Sequence, residues 1–198
     1  MVIGRPAVFL DRDGTLTEPR HYPSSPEDLV LSAGVGAPLR ALYRLGVALV
    51  VVTNQSGVAR GLFGRPELDA MHRHLRDRLA ELGVPLDAVL DCPHHPDGVV
   101  TALAVTCDCR KPAPGMLLRA ARQLDLDVAG SWMIGDFDSD VEAGRRAGCR
   151  TALVRAGSDD GSYPSSGRPD LRVPSTEQAL CHIVGLHTAA RTMVKEHS

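Results

Sequence analysis

The sequence predicts an α/β fold, a Rossmann-like parallel sheet with helices on both faces. Short apolar runs of strand length alternate with amphipathic segments of helix length along most of the chain, as expected for parallel strands joined by crossover helices. Polar clusters follow several of the apolar runs, and ligands bind at the carboxyl ends of strands in such sheets. At 198 residues, the chain has the length of one ordinary domain, so we expect a single domain over residues 1–198.

Apolar runs place the strands. They cover residues 7–10, 47–53, 88–91, 131–135 and 151–154, and a short sixth strand is expected near Leu171. The length of each run matches a strand rather than a helix. We therefore expect a sheet of five or six strands.

Helical periodicity is clearest over residues 66–82, where Leu68, Met71, Leu75, Leu79 and Leu82 recur at spacings of three and four,. His72 and His74 lie on or beside the polar face of this helix and are predicted to be surface residues. Further helices are expected over residues 36–45, 114–124 and 139–147 and from about residue 176, with Ser139 as an N-cap. A segment rich in Ser, Gly, Pro and Asp at about 158–169 predicts a flexible surface loop,.

Composition excludes several classes of partner. The chain carries 22 basic and 24 acidic residues, for a net charge of −2, and contains no run of Lys and Arg, so we expect no nucleic acid and no anionic membrane as a partner. The longest apolar run, residues 47–52, is far shorter than the roughly 20 residues of a membrane helix. We expect a cytoplasmic protein and, by default, a monomer. Five cysteines favour thiols or metal ligands over a disulfide framework, with Cys149 and Cys181 as buried thiols.

The first predicted strand ends in a pair of carboxylates, Asp11 and Asp13. Side chains at positions i and i+2 of an extended segment project to the same side, so the two carboxylates face one site. An ionised Asp is a nucleophile at neutral pH without an activating base, and carboxylate oxygens suit Mg²⁺. The alternative is a helix cap followed by an Asp-Gly turn.

Three further strand ends carry polar groups. Thr53 and Asn54 offer a hydroxyl and an amide to a phosphoryl oxygen after the second strand. Arg110 and Lys111 follow the third strand and supply the cations that phosphoryl recognition needs. Asp136 follows the fourth strand and is best placed among its neighbouring acids to complete a Mg²⁺ site. Each cluster alone is also compatible with a polar turn, a solvated basic pair or a helix cap.

A second constellation indicates zinc. Its residues are Cys92, His94, Cys107 and Cys109, in a loop of about residues 92–109. Three thiolates and one imidazole suit tetrahedral Zn²⁺ with no open position, so the expected role is structural. His95 is a competing ligand, and reduced cysteines beside a surface histidine are the alternative. A zinc ion here would order the loop that leads into Arg110 and Lys111.

The four strand-end clusters together resemble the motifs of the haloacid dehalogenase superfamily of phosphatases. The matching residues are Asp11-Arg12-Asp13-Gly14-Thr15, Thr53, Lys111 and Gly135-Asp136-x-x-x-Asp140. The resemblance implies that Asp11 attacks phosphorus to form an aspartyl-phosphate and that Asp13 is the general acid and base. It also implies catalytic Mg²⁺ on the Asp11 carboxylate, the Asp13 backbone carbonyl and Asp136, with Thr53 and Lys111 on the phosphoryl oxygens. Only about 37 residues separate the first motif from Thr53, so we expect no large cap domain.

Within the superfamily, the chain is similar to the heptose-1,7-bisphosphate 7-phosphatase family of nucleotide-activated heptose biosynthesis. The matching stretches are residues 9–15, 51–61, 92–96 and 107–116. The resemblance implies a small phosphorylated sugar as substrate, and the residues expected to contact it are Arg20, His21, Tyr22, Asn54, Gln55, Ser56 and Arg110. Phe137 departs from this family, which places a lysine there.

Two other functions stay open at this point. The related histidinol-phosphate phosphatases share the Asp pair and a zinc loop, so a histidinol-phosphate or another small sugar-phosphate phosphatase is the alternative enzyme. A zinc-stabilised binding module, in which the acidic turns only cap helices, is the alternative without catalysis. That module predicts no Mg²⁺-dependent release of phosphate.

Overall fold

A computed structural model describes residues 4–155 and 167–196. Six parallel strands form one sheet in the order β3-β2-β1-β4-β5-β6. The strands are β1 Arg5–Leu10, β2 Ala48–Asn54, β3 Ala88–Cys92, β4 Leu126–Gly135, β5 Arg150–Val154 and β6 Leu171–Val173. The helices are α1 Gly36–Arg44, α2 Arg65–Glu81, α3 Gly115–Leu124, α4 Asp138–Ala147 and α5 Thr176–Glu196. The predicted parallel α/β fold is confirmed.

Helices cover both faces of the sheet. Because side chains alternate along a strand, Val8 and Leu10 of β1 pack into a core with α1, α2 and α5. Ala7 and Phe9 pack into a second core with α3 and α4. All four of these β1 side chains are essentially inaccessible to solvent. Near-continuous apolar strands such as β2 are typical of a sheet buried on both faces.

The central strand positions the site. β1 pairs with β2 on one side and with β4 on the other, so the chain order reverses direction across β1. Ligands bind at such a switch point, outside the carboxyl ends of the strands. Asp11 follows the end of β1, Thr53 and Asn54 end β2, and Asp136 follows β4. The topology therefore brings the polar clusters of these three strands to one edge.

The segment between β1 and β2, residues 11–47, contains the 3-10 helix Pro26–Asp28 and α1 as its only helices and holds no strand of the sheet. This agrees with the expected lack of a large cap domain. Within residues 4–155 and 167–196, no helix is both long and apolar enough to cross a membrane. The loop expected at about 158–169 lies, up to residue 166, outside the described residues.

Three local predictions were wrong. His72 is 8% exposed, because it lies four residues after Leu68 and three before Leu75, on the buried face of α2. Ser139 does not cap α4, which begins one residue earlier; the carboxylate of Asp140 accepts the Phe137 N–H instead, at 3.0 Å. Cys149 is buried as expected, whereas Cys181 is exposed.

Candidate active site

A cavity of about 310 Å³ lies at the carboxyl edge of the sheet. It collects every catalytic and substrate-binding residue that the sequence predicts, from four segments of the chain. These lining residues are Asp11, Asp13, Arg20, His21, Tyr22, Thr53, Asn54, Gln55, Ser56, Arg110 and Lys111. Phe137, Ser139 and Asp140 complete the wall, and Phe137 is 63% exposed at this position.

Lys111 is buried at the base of this cavity, beside the Asp11 carboxylate. Its Nζ lies 2.7 Å from Asp11 Oδ1, 2.6 Å from Asp140 Oδ1 and 2.9 Å from the carbonyl oxygen of Val52. The contacts with Asp11 and Val52 are hydrogen bonds, and the contact with Asp140 is an ion pair. Burial alone lowers the Lys111 pKa, but attraction to Asp11 and Asp140 outweighs it and raises the pKa above its usual range. Lys111 is therefore a permanent cation next to Asp11.

Three carboxylates surround this cation. Oxygen atoms of Asp11, Asp136 and Asp140 lie within 4.8 Å of one another. Burial raises the pKa of Asp11 to about 6, with Lys111 opposing and Asp140 adding to the shift. Burial, followed by repulsion from Asp11, also raises the pKa of Asp136 to about 6. Lys111 alone thus leaves an excess of negative charge, and an all-oxygen donor set of this kind fits Mg²⁺.

Gly14 gives Asp136 its place in this cluster. Its φ is +80°, in the left-handed region that glycine tolerates,. A Cβ at this position would collide with the Asp136 carboxylate. The hydroxyl of Thr15 donates to Asp136 Oδ1 at 3.3 Å. The turn after β1 therefore packs directly against the Asp136 carboxylate at the end of β4, and only glycine leaves room for this contact at position 14.

The Asp13 carboxylate lies apart from the three-acid cluster and is engaged by nitrogen donors. Arg12 donates to it twice, with Nε to Oδ1 and Nη2 to Oδ2, both at 2.9 Å. Gln55 Nε2 donates to Asp13 Oδ2 at 2.9 Å and to Thr53 Oγ1 at 2.8 Å. The Gln55 amide, predicted to bind substrate, thus also connects the ends of β1 and β2.

Asn54 fixes the backbone that carries Lys111. Its side-chain amide donates to the Lys111 carbonyl and accepts from the Lys111 N–H, both at 3.0 Å. Arg110, the next residue back, donates from Nη1 to the His94 carbonyl at 3.2 Å. The segment that carries Arg110 and Lys111 is thus hydrogen-bonded to β2 through Asn54 and to the cysteine loop through the His94 carbonyl.

The four residues predicted to bind zinc lie together. Their ligand atoms all fall within 4.8 Å of one another. The sulfur of Cys109 is 3.2 Å from that of Cys92 and 3.1 Å from that of Cys107, and His94 Nδ1 is 3.3 Å from Cys109 Sγ. Zn–S bonds of about 2.3 Å in a tetrahedron place sulfurs about 3.8 Å apart, somewhat wider than these separations. Three thiols and one imidazole are a donor set that fits Zn²⁺.

His95 has other partners. Its Nε2 is 3.1 Å from Arg60 Nη2, and its Nδ1 accepts the Asp97 N–H at 3.1 Å. Both ring nitrogens are thus occupied away from the cysteine sulfurs. This geometry favours His94 as the imidazole of the four-residue cluster.

Sequence reasoning missed two residues of this site. The sequence motif contains Asp140 but predicts no role for it, although Asp140 contacts Lys111 and lies in the three-acid cluster. The motif likewise predicts no role for Arg12, which is fully buried. The sequence contains a signal for each residue. Asp140 is an acid near the start of the helix that follows the fourth strand, and Arg12 is a cation between two aspartates.

Comparisons with known proteins agree with this geometry. The model of the Hydrolase_like family, the HAD-hydrolase-like proteins, matches residues 108–179. The D-glycero-β-D-manno-heptose-1,7-bisphosphate 7-phosphatase of Yersinia pestis is 45% identical over 153 residues, 77% of this chain and 81% of that protein. The protein of the same name from Escherichia coli K12 is 44% identical over 153 residues, 77% and 80% of the two chains.

A solved structure shows the same fold. The crystal structure of D,D-heptose 1,7-bisphosphate phosphatase from B. bronchiseptica, complexed with magnesium and phosphate, superposes with a TM-score of 0.77 at 32% identity, covering 91% of this chain and 98% of that one. Identity of this level over four fifths of the Yersinia pestis protein goes well beyond a shared fold. The chain is therefore a phosphatase that belongs to the D-glycero-β-D-manno-heptose-1,7-bisphosphate 7-phosphatase family of HAD-like hydrolases.

Proposed function

We propose that this phosphatase removes the 7-phosphate of D-glycero-D-manno-heptose 1,7-bisphosphate, in nucleotide-activated heptose biosynthesis, through an aspartyl-phosphate on Asp11. The observation that carries the chemistry is the contact of 2.7 Å between Asp11 Oδ1 and Lys111 Nζ in the cavity. The names of the relatives from Yersinia pestis and Escherichia coli support the substrate.

Asp11 is the proposed nucleophile. Lys111 and Thr53 lie around it in the cavity, and they would hold the phosphoryl oxygens in line for attack,. The Asp11 and Asp136 carboxylates and the Asp13 backbone carbonyl would hold Mg²⁺. When bound, this cation offsets the negative charge of the substrate and the carboxylates. Asp140 forms an ion pair with Lys111, and its carboxylate accepts the Phe137 N–H at the start of α4.

Asp13 is the proposed general acid and base. It would give a proton to the leaving sugar oxygen as the phosphoryl group moves to Asp11. It would then take a proton from the water that hydrolyses the aspartyl-phosphate. One side chain would thus serve both half-reactions, since Asp13 and Asp11 line the same cavity.

Substrate selection would fall to the loops around the cavity. Arg20, His21 and Tyr22 line one wall, where the rings of His21 and Tyr22 meet edge to face with centroids 4.5 Å apart. Arg110 is linked to the loop that holds the proposed structural Zn²⁺, so this ion would order part of the substrate site. Asn54 and Gln55 are held by protein partners, and Ser56 lines the same wall.

A substrate panel tests this assignment. We expect initial rates of phosphate release, with Mg²⁺ present, to be highest on heptose 1,7-bisphosphate, and both anomers are to be compared. Histidinol phosphate and hexose phosphates are the competing substrates. Equal rates on all of them would reject the heptose assignment and leave the phosphatase assignment in place. Preference for histidinol phosphate would establish the alternative enzyme.

Replacing the nucleophile tests the mechanism. Asp11→Asn retains the size of the side chain but removes the charge that attacks phosphorus, so we expect turnover to fall by at least about 10³-fold. Quenched samples of the unaltered enzyme, separated after acid denaturation, are to be searched for an aspartyl-phosphate on Asp11. Near-native turnover of the Asp11→Asn protein would rule out the proposed nucleophile.

A further inference from the structure

Among the residues that the structure describes, Arg12 has the largest side chain with no exposure to solvent. It faces the Asp13 carboxylate in a fork, with two N–H···O contacts of 2.9 Å. Within residues 4–155 and 167–196, no other carboxylate forms an ion pair with Arg12. A buried cation with one anionic partner strongly resists separation from it. The ion pair therefore neutralises Arg12 and also restricts the orientation of the Asp13 carboxylate.

Counting acceptor sites shows which Asp13 oxygen stays available. A carboxylate offers about four lone-pair sites, two on each oxygen. Oδ2 accepts from Arg12 and from Gln55, whereas Oδ1 accepts from Arg12 alone. The remaining site is on Oδ1, and Asp13 lines the cavity with 24% of its side chain exposed. The fork fixes the plane of the carboxylate, and Gln55 distinguishes its two oxygens.

We propose that Arg12 is a positioning residue that, together with Gln55, orients Asp13 so that Oδ1 transfers the proton to the leaving group. This inference rests on the proposed role of Asp13 as general acid. In the step, an Asp11 oxygen bonds to phosphorus and the phosphorus–oxygen bond to the sugar breaks. The sugar oxygen keeps the electron pair and takes the proton from Asp13 Oδ1, leaving a carboxylate that is stabilised by the Arg12 fork and Gln55.

A merely structural ion pair makes a different prediction from a positioning residue. If Arg12 only stabilises the fold, its loss lowers the rate on all substrates alike, because it lowers the fraction of active enzyme. If Arg12 orients the general acid, the loss is greatest where the leaving group needs a proton. p-Nitrophenolate leaves without being protonated, whereas the oxygen of a sugar or of glycerol must receive a proton as it leaves.

The experiment compares two substrates in each variant of the Mg²⁺-loaded enzyme. The readout is kcat/KM for p-nitrophenyl phosphate divided by kcat/KM for glycerol phosphate, a ratio that does not depend on the active fraction. For Arg12→Gln we expect this ratio to rise at least tenfold over that of the unaltered enzyme. Arg12→Lys keeps the charge and loses the fork, so an intermediate rise is expected.

Three further proteins complete the test. Asp13→Asn lacks the general acid, so we expect it to show the largest ratio. An unchanged ratio in Asp13→Asn would reject both Asp13 as the proton donor and the inference that rests on that role. Gln55→Leu removes an uncharged donor, so it reports on orientation even if the Arg12 variants do not fold, and we expect a rise of about threefold. Leu42→Ala, a buried change outside the cavity, should leave the ratio unchanged. Equal losses on both substrates in the Arg12 and Gln55 variants would overturn the proposal while leaving the phosphatase mechanism intact.

Discussion

His72 shows how a single polar residue is accommodated in the core behind the site. Its Nδ1 lies 3.8 Å from Asp91 Oδ1, and the same carboxylate binds Arg65 through its other oxygen at 2.8 Å. Burial lowers the pKa of His72 to about 4, and the positive charge of Arg12 adds to this effect. At neutral pH the imidazole is therefore uncharged. Its Nε2 is buried without a hydrogen-bond partner among the described residues.

A dependence of stability on pH follows from His72. In the unfolded chain its pKa is about 6.5, so between pH 6.5 and 4 the unfolded state binds a proton that the folded state excludes. Protonation then favours unfolding, and the free energy of unfolding falls as the pH falls through this window, by on the order of 3 kcal/mol. His72→Gln removes this contribution.

The measurement is denaturant unfolding of both proteins between pH 7.5 and 4. Contributions from carboxylates and from metal ligands are common to the two proteins and cancel in the difference. We expect the stability of the unaltered protein relative to His72→Gln to decrease steadily below pH 6.5. A difference that stays constant with pH would show that the folded state does not exclude this proton.

At the level of elements, the sequence predicts where the strands lie more accurately than where each strand begins and ends. β2 is a continuous apolar run and was located to within a residue. β4 begins at Leu126 rather than at the expected residue 131, because pairing of Arg5 with Leu126 extends it through a segment containing Asp127 and Gly130. The register shifts between the pairs Pro6–Asp127 and Val8–Trp132, so the extra residues of this irregularity lie in β4. Pairing partners of this kind carry no local sequence signal.

The same difference holds for the candidate site. Position at the end of a predicted strand located Asp11, Asp13 and Thr53, and a basic pair ahead of a predicted helix located Lys111; all four line the cavity. Contacts between segments were not predictable, because they depend on how loops pack. The Asn54 amide on the Lys111 backbone and the Gln55 amide on Asp13 are of this type.

The cysteine loop is the element whose metal is easiest to test. Cys107→Ser removes one thiolate from the cluster, and we expect bound zinc, measured by atomic emission, to fall from about one equivalent to near zero. Because Arg110 contacts the His94 carbonyl, we also expect kcat/KM to fall at least tenfold. Cys181→Ser, an exposed position on α5, is the matched control and should change neither quantity. Full activity of a zinc-free Cys107→Ser protein would contradict the ordering role.

Over the whole molecule, two helical layers enclose the sheet, and the site occupies only its carboxyl edge. Leu42 of α1 is fully buried in the layer formed with α2 and α5 and does not line the cavity. Core and site are thus separate in space. Stability and catalysis should therefore respond to different substitutions.

Leu42→Ala tests this separation. Loss of a buried leucine side chain leaves a cavity, and we expect the free energy of unfolding to fall by about 2–5 kcal/mol. The value of kcat/KM at 25 °C, expressed per folded molecule, should stay within about twofold of the unaltered protein. Tyr43→Ala, at an exposed neighbouring position, should change stability by less than about 0.5 kcal/mol. A large loss of kcat/KM in Leu42→Ala would show that the core layer and the site are coupled.

The cysteine cluster also makes this protein suited to redesign by loop grafting. Cys92 and His94 hold one end of the loop, and Cys107 and Cys109 hold the other. Doubling the length of a flexible loop costs only about 0.6 kcal/mol once its ends are fixed. Asp97 and Val99 of this loop border a second hollow that His21 and Tyr22 also line. A library of inserts in place of residues 96–106 would therefore change the surface beside the cavity while the anchor preceding Arg110 stays the same. New substrate ranges can be selected there without altering the residues that carry out the hydrolysis.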